Sequence, residues 1–354
     1  MHEWGPFLAD IWLFLIGFFL LYYAVADGAD LGVGILSLFS EDDEARGFLM
    51  STLHATWHGN QTWLVLLGGM LFGAFPLFYS LVLSSLYIPI VVMLFGLVFR
   101  GVAFEFRENS THKYGWGLSF GLGSLIVTLA QGFALGGLLG GLEVHNGEFI
   151  GSVWGWFSPF SILVTAGVVA GYVMLGANYL IMKTVGDFQD RCYRVARTVS
   201  VVTLLIAVAV HVWTIALYPY VARKWTVYPD VLAVASFPAL SVVAIVMYFR
   251  VLHKRRETAP LLWNAAIVLF SFIGLSIEMY PNMIPHVIHT GLTVSGAAAS
   301  PPTLIFMLVV TAFLIPVILM YTAYEFWVFR GKTPHISIYH EAHENSFADE
   351  RKTE

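Results

Sequence analysis

"IWLFLIGFFLLYYAVADGADLGVG" (Ile11–Gly34) decides the fold. As far as Ala26 it is apolar without a break, and extended back to Leu8 it is long enough to cross a bilayer core, which takes about 20 residues. At its end stand Asp27 and Asp30, three positions apart and therefore on one helical face. Two readings of this pair are open. The carboxylates end the helix at the water interface, or they form a proton-conducting or cation-pairing site within the membrane.

The same texture runs through all 354 residues. Hydrophobic residues make up 58% and charged residues only 12%, against about 25% charged in a soluble domain. Apolar runs at roughly 8–28, 52–75, 77–100, 116–141, 158–182, 198–218, 231–250, 261–280 and 303–329 predict nine transmembrane helices. The chain is therefore expected to be an all-α polytopic membrane protein, with a transmembrane domain over 1–334 and a polar cytoplasmic tail over 335–354. The first run is long, lacks a basic start and is not followed by a small-residue cleavage pattern, so it is expected to be a span and not a targeting segment. With the N-terminus outside and the C-terminus inside, every Lys and Arg except Arg223 and Lys224 falls on the inner side, out of 18 in total. That asymmetry supports both the span count and the orientation. The net charge of −5 says little about partners, and no basic surface for nucleic acid is present. The single cysteine, Cys192, excludes an intrachain disulfide and any CxxC motif.

The longer loops, 141–159, 219–230 and 281–302, all fall outside in this orientation. Trp154, Trp156, Trp225 and Tyr228 suit an aromatic belt there. Small residues in "GLSFGLGSLIVTLAQGFALGG" (117–137) predict a helix buried among its neighbours.

Ionisable groups at membrane depth are expensive and mark interiors or water paths. Besides the aspartates, they are His54 and His58 in "STLHATWHGNQTWLV" (51–65); Arg100, Glu105 and Arg107 in "FRGVAFEFRE" (99–108); His211; Glu278; and Glu325. Arg100 is predicted near the inner side, within range of an ion pair with the aspartates. His54 and His58 share a helical face, a spacing that suits a heme, a metal or a proton relay. His211 in the sixth span and His286 and His289 in an outer loop match paired axial heme sites poorly. "WHGNQ" (57–61) packs an indole, an imidazole and two amides, Asn60 and Gln61, into a span, where they line a water path or cement helices. Glu278 and Glu325 lie at span ends and read as interface residues. No nucleotide-binding G-x-x-x-x-G-K-[ST] and no zinc-binding H-E-x-x-H occurs.

"AVADGADLGVG" (24–34), "TWHGNQTWLV" (56–65), "VFRGVAFEFR" (98–107), "LGANYLIMKTVGDFQDR" (175–191) and the stretch from Glu278 onward closely resemble, in that order, segments of subunit II of the cytochrome bd-type quinol oxidases. The resemblance spans about residues 10–330. It implies a nine-span subunit of two four-helix bundles plus one peripheral helix, in a bacterial cytoplasmic membrane. The implied partner is a heme-bearing subunit I, forming a heterodimer, with small accessory subunits in some relatives. It further implies an oxidase that couples quinol oxidation to reduction of dioxygen to water. Heme b and heme d (or b in its place) belong to subunit I, none being ligated by this chain, and subunit II can hold a structural quinone. No catalytic or metal residue is implied here. Asp27, Asp30, Trp57 and His58 match the family's proposed proton path, although the family has an aspartate where His58 stands. Asn60, Gln61, Arg100, Glu105 and Arg107 match polar positions of structural character. The competing readings are a secondary transporter using membrane carboxylates and a self-contained heme cytochrome.

Overall fold

The computed structural model describes residues 5–145, 147–284 and 292–333. Polar backbone groups have no water to bond in lipid, so apolar runs of this length satisfy them internally as helices. The elements are α1 (Gly5–Ser37), α2 (Asp43–Ser51), α3 (Trp57–Ala74), α4 (Pro76–Ser85), α5 (Tyr87–Asn109), α6 (Lys113–Leu139), a small hairpin of β1 (Val144–His145) and β2 (Glu148–Phe149), α7 (Pro159–Lys183), α8 (Gly186–Leu217), α9 (Pro219–Lys224), α10 (Asp230–His253), α11 (Ala259–Met279), α12 (Val294–Ala297) and α13 (Pro301–Val328). Eight helices are each long and apolar enough to cross a membrane, and α3 with α4 makes a ninth if that bent pair counts as one span. The chain is an all-α polytopic membrane protein. The predicted tail 335–354 and the loop histidines His286 and His289 lie outside the described residues.

Three departures from the sequence reading matter. The first span does not end at the aspartates: α1 runs on to Ser37, so both acids sit inside a helix. The expected span 52–75 begins only at Trp57. The expected span 77–100 is split, with α4 turning 119° away from α3. Pro76 opens α4, where its missing N–H costs no bond. Pro89, in the first turn of α5, has no N–H to give the Ser85 carbonyl, so α4 stops there. The Ser85 hydroxyl donates to the Leu81 carbonyl at 2.7 Å in its last turn.

The long helices pack in sequence order, α5 on α6, α6 on α7, α7 on α8 and α10 on α11, while α1 lies against α3, α6 and α7. Glycine sets the closest approach: a Cβ at Gly176 of α7 would stand 2.5 Å from the Gly32 carbonyl carbon and the Val33 nitrogen of α1. Small residues let membrane helices meet backbone to backbone in this way. One apolar core, including Leu53, Trp57, Phe104, Phe120, Leu175 and Tyr179, surrounds the C-terminal half of α1. A second, including Leu8, Trp12, Phe75, Phe78 and Leu304, surrounds its N-terminal half. The outer surface of α13 is apolar and exposed, as at Phe306, Phe313 and Met320, which suits lipid or a membrane partner.

Candidate functional site

Four of the polar residues picked out by the sequence meet inside the first core. Arg100 of α5 donates from Nη1 to Asp27 Oδ1 at 2.6 Å, and its Nη2 stands 3.5 Å from Asp30 Oδ2. Asn60, in the first turn of α3, donates from Nδ2 to the same Asp30 oxygen at 2.9 Å. Arg100 and Asp27 are 0% exposed and Asp30 is 1% exposed. The approach depends on glycine, since a Cβ at Gly123 of α6 would lie 3.0 Å from the Gly96 carbonyl and 3.1 Å from the Arg100 nitrogen. Asp27 Oδ2 and Arg100 Nε and Nη2 have no hydrogen-bond partner among the described residues. The cluster is therefore ion-paired but incompletely bonded, an arrangement that can take up and release a proton.

A second line of side chains leads away from it. Tyr23 lies one turn before Asp27 and accepts from Gln131 Nε2 at 2.7 Å, and Tyr172 donates to Gln131 Oε1 at 2.7 Å. The Tyr172 ring fills the space over Gly28, where a Cβ would come within 2.7 Å of it. The sequence reading missed this chain because it weighed ionisable groups. Gln131, an amide in the middle of an apolar run, was the available signal.

The remaining expected residues divide. Trp57 is buried and stacks on Phe104 with ring centroids 4.8 Å apart and planes 8° from parallel. Its other neighbour is the His58 ring at 3.7 Å. Gly101, next to Arg100, lies under Trp57, so the indole adjoins the charged cluster. His58 points outward: its Nε2 stands 3.6 Å from Glu105 Oε1, with side chains 72% and 61% exposed. The structure thus separates His58 and Glu105 from the buried acids. Gln61 Nε2 is buried with no partner among the described residues. Arg107 belongs to another group, where it bonds Asp43 Oδ2 at 3.0 Å and the Asp43 carbonyl at 2.8 Å. Beside it, Arg46 bonds the Ser37 carbonyl at 3.2 Å, so this pair ties α2 to the ends of α1 and α5.

Glu278 and Glu325, read as interface residues, are both buried. Glu278 receives Trp225 Nε1 at 3.1 Å and stands 3.7 Å from His211 Nε2. Lys224 caps the end of α11 by donating to the carbonyls of Ile277, Glu278 and Tyr280 at 3.1, 2.9 and 2.6 Å. Burial lowers the Lys224 pKa from its ordinary value. Three described histidines of the spans and their approaches have ring or carboxylate neighbours. His211 is committed to Glu278, His58 to Trp57 and Glu105, and His54 leans on Phe104 with ring centroids 6.4 Å apart. Among the described residues no group of three or more His, Cys, Asp or Glu is placed to hold a metal ion.

A membrane-spanning helical protein with a buried carboxylate–guanidinium cluster is the class these features define. The chain belongs to the cytochrome bd terminal oxidase subunit II family, whose family model matches residues 8–329. It is 28% identical to the cytochrome bd-I ubiquinol oxidase subunit 2 of Escherichia coli K12, over 92% of this chain and 95% of that one. It is 26% identical to the cytochrome bd ubiquinol oxidase subunit 2 of Bacillus subtilis, over 93% and 97%. The fold matches a chain of the bd oxidase from Geobacillus thermodenitrificans with a TM-score of 0.73 at 19% identity, covering 92% of this chain and 99% of that one.

Proposed function

We propose that this chain supports a heme-bearing subunit I in a quinol-oxidising, dioxygen-reducing oxidase and conducts protons toward it from the cytoplasmic side. As a member of the family it is a subunit of an oxidoreductase complex, and the relatives' names supply the quinol. Hemes b and d, or a second b, reside in the partner and provide the electron transfer and oxygen chemistry. The placement follows the charge pattern, with the N-terminus outside, the C-terminus inside, and the bacterial cytoplasmic membrane as location. The nine spans form two four-helix bundles and a peripheral helix, followed from about residue 335 by a cytoplasmic tail.

The observation that carries the proton role is the Asp27–Arg100–Asp30–Asn60 cluster. Two carboxylates face one guanidinium with no exposure to water, so the cluster's charge is balanced only when a proton joins it. In this chain the acids hold or pass the proton, Asn60 orients Asp30, and Trp57 seals the cluster from the His58 face. A structural quinone finds a partial fit. A cavity of about 520 Å³ between α6, α7 and α8 is lined by Leu129, Phe133, Ile162, Val169, Val199 and Ile206, and it matches an isoprenoid or acyl chain and not a quinone ring.

The test is Asp30→Asn, which keeps the 2.6 Å Asp27–Arg100 pair. Turnover and proton uptake of the purified two-subunit oxidase are expected to fall while heme content stays normal. Full turnover at normal heme content would remove the acid pair from the proton path.

A further inference from the structure

A third carboxylate adjoins the buried cluster, and nothing in the sequence reading gave it a role. Glu325 is the only charged side chain of α13, a helix that buries just Leu304, Thr311, Thr322 and Glu325. Its neighbours on the exposed side, Tyr321, Tyr324 and Trp327, face outward. The helix therefore turns its one acid into the protein. There the carboxylate rests on the backbone of α3, since a Cβ at Gly59 would stand 2.5 Å from Glu325 Oε2. The next residue of α3 is Asn60, the donor to Asp30.

The ordinary explanation, a salt bridge at the helix end, does not apply. Three cations lie close in sequence or space, and each is engaged elsewhere. Lys183 Nζ donates to the Phe329 carbonyl at 2.7 Å, Lys332 pairs with Glu257 at 2.9 Å, and Arg330 lies over the Trp327 ring at 5.2 Å. Among the described residues the Glu325 carboxylate has no hydrogen-bond or ion-pair partner. On the two helices packed on α13, the charge of Glu325 acts on Tyr22 and Asp30 of α1, and His58 precedes Gly59 on α3 but points outward. Asp27 and Asp30 share one buried cation, Arg100, and Glu325 adds a third carboxylate with no cation of its own among the described residues. A buried carboxylate without a counter-ion is costly, so this surplus of acids is balanced by protons.

We infer that Glu325 is the proton-exchanging carboxylate that serves the buried acid pair, a role that rests on the proton-path reading above. Its acidic O–H bond breaks as an O–H bond forms on the Asp30 carboxylate across the space beside Gly59. Glu325 then takes a proton back from water on the side where α13 ends, and no electrons move in this exchange. Gly59 is a positioning residue, because only a missing side chain lets the carboxylate reach this spot.

The experiment compares Glu325→Gln, Glu325→Asp and Gly59→Ala in the complete heme-loaded oxidase, beside Asp30→Asn. Glu325→Gln keeps shape but cannot exchange a proton, and turnover is expected to fall about tenfold or more at unchanged heme content. Glu325→Asp keeps the acid and is expected to recover most of that loss and to shift the pH profile of turnover. Gly59→Ala displaces only the flexible end of Glu325, so it is expected to assemble normally and turn over slowly. The redox-difference infrared spectrum should lose a carboxyl band in Glu325→Gln. Should Glu325→Gln fail to assemble, the turnover of Gly59→Ala and the Glu325→Asp pH profile decide the matter. Normal turnover in Glu325→Gln with a slow Asp30→Asn would overturn the role of Glu325 alone. Normal turnover in both would overturn the proton path itself.

Discussion

Removing Arg100 is the most demanding test of the charge cluster. At 2.6 Å from Asp27 and 3.5 Å from Asp30, its gross attraction amounts to about 6 and about 5 kcal/mol at an effective dielectric near 20. Desolvating three buried ions consumes several kcal/mol each, so the assembled cluster contributes little net stability. Its loss is another matter. Arg100→Gln leaves two carboxylates buried without a cation, a change that costs about 3–5 kcal/mol, equivalent to roughly a hundredfold to several-thousandfold in a folding equilibrium. The expected result is a low yield of heme-containing complex in detergent and a much lower temperature of heme loss. Asp27→Asn combined with Arg100→Gln removes charges of both signs and is expected to recover much of the deficit, because Asn60 still holds Asp30. The assay is heme absorbance retained through a temperature ramp, compared across the single variants and the double. If Arg100→Gln matched the parent, or if the double variant equalled the sum of the singles, the ion pair described here would not be the organising contact.

Two further outcomes follow from features elsewhere in the fold. Gly176→Ala sets a Cβ against the backbone of Gly32 and Val33, which cannot move aside as a side chain would. It is expected to cost about 3 kcal/mol, at the upper end for overpacking, seen as a lowered temperature of heme loss. Gly115→Ala, with nothing within 4 Å, should change nothing. Near the end of α13, Glu257 accepts from Lys332 and Gln189, and the Lys332 hydrogen bond chiefly holds its carboxyl below the usual glutamate range. A carboxyl depressed by folding stabilises fully above its ordinary value and loses that contribution as pH falls through the lower, folded value. Protease access to the segment after α13 is thus expected to rise in that acidic window, while Glu257→Gln shows the higher access already at neutral pH. The pair is half exposed, so added salt should mimic the substitution and the effect should stay below about 1 kcal/mol.

The helices were legible because lipid imposes a composition as well as a pattern. What the sequence hid were contacts across distance. A charge in an apolar run reads as the approach of water, so Asp27 and Asp30 marked the end of a span. Their counter-ion lies 73 residues away in Arg100, beyond any local window, and with it in place α1 continues to Ser37. Glu278 was misplaced for the same reason, its partners His211 and Trp225 lying far back along the chain. Pro76 lay between two predicted spans, but the arrest of α4 came from Pro89 acting on a carbonyl four residues back. Polar residue types were enough to single out Asp27, Asp30, Asn60 and Arg100. They were not enough to separate His58 and Glu105, which share the same motifs yet face outward.

The Asp27–Arg100 pair also has a history within each molecule's synthesis. When α1 first reaches the membrane it carries two carboxylates whose cation has not yet been made. Asn60 arrives 30 residues after Asp30, and the guanidinium emerges 73 residues after Asp27. The acids of α1 are thus made before any of their partners, and the settling of that helix waits for α5.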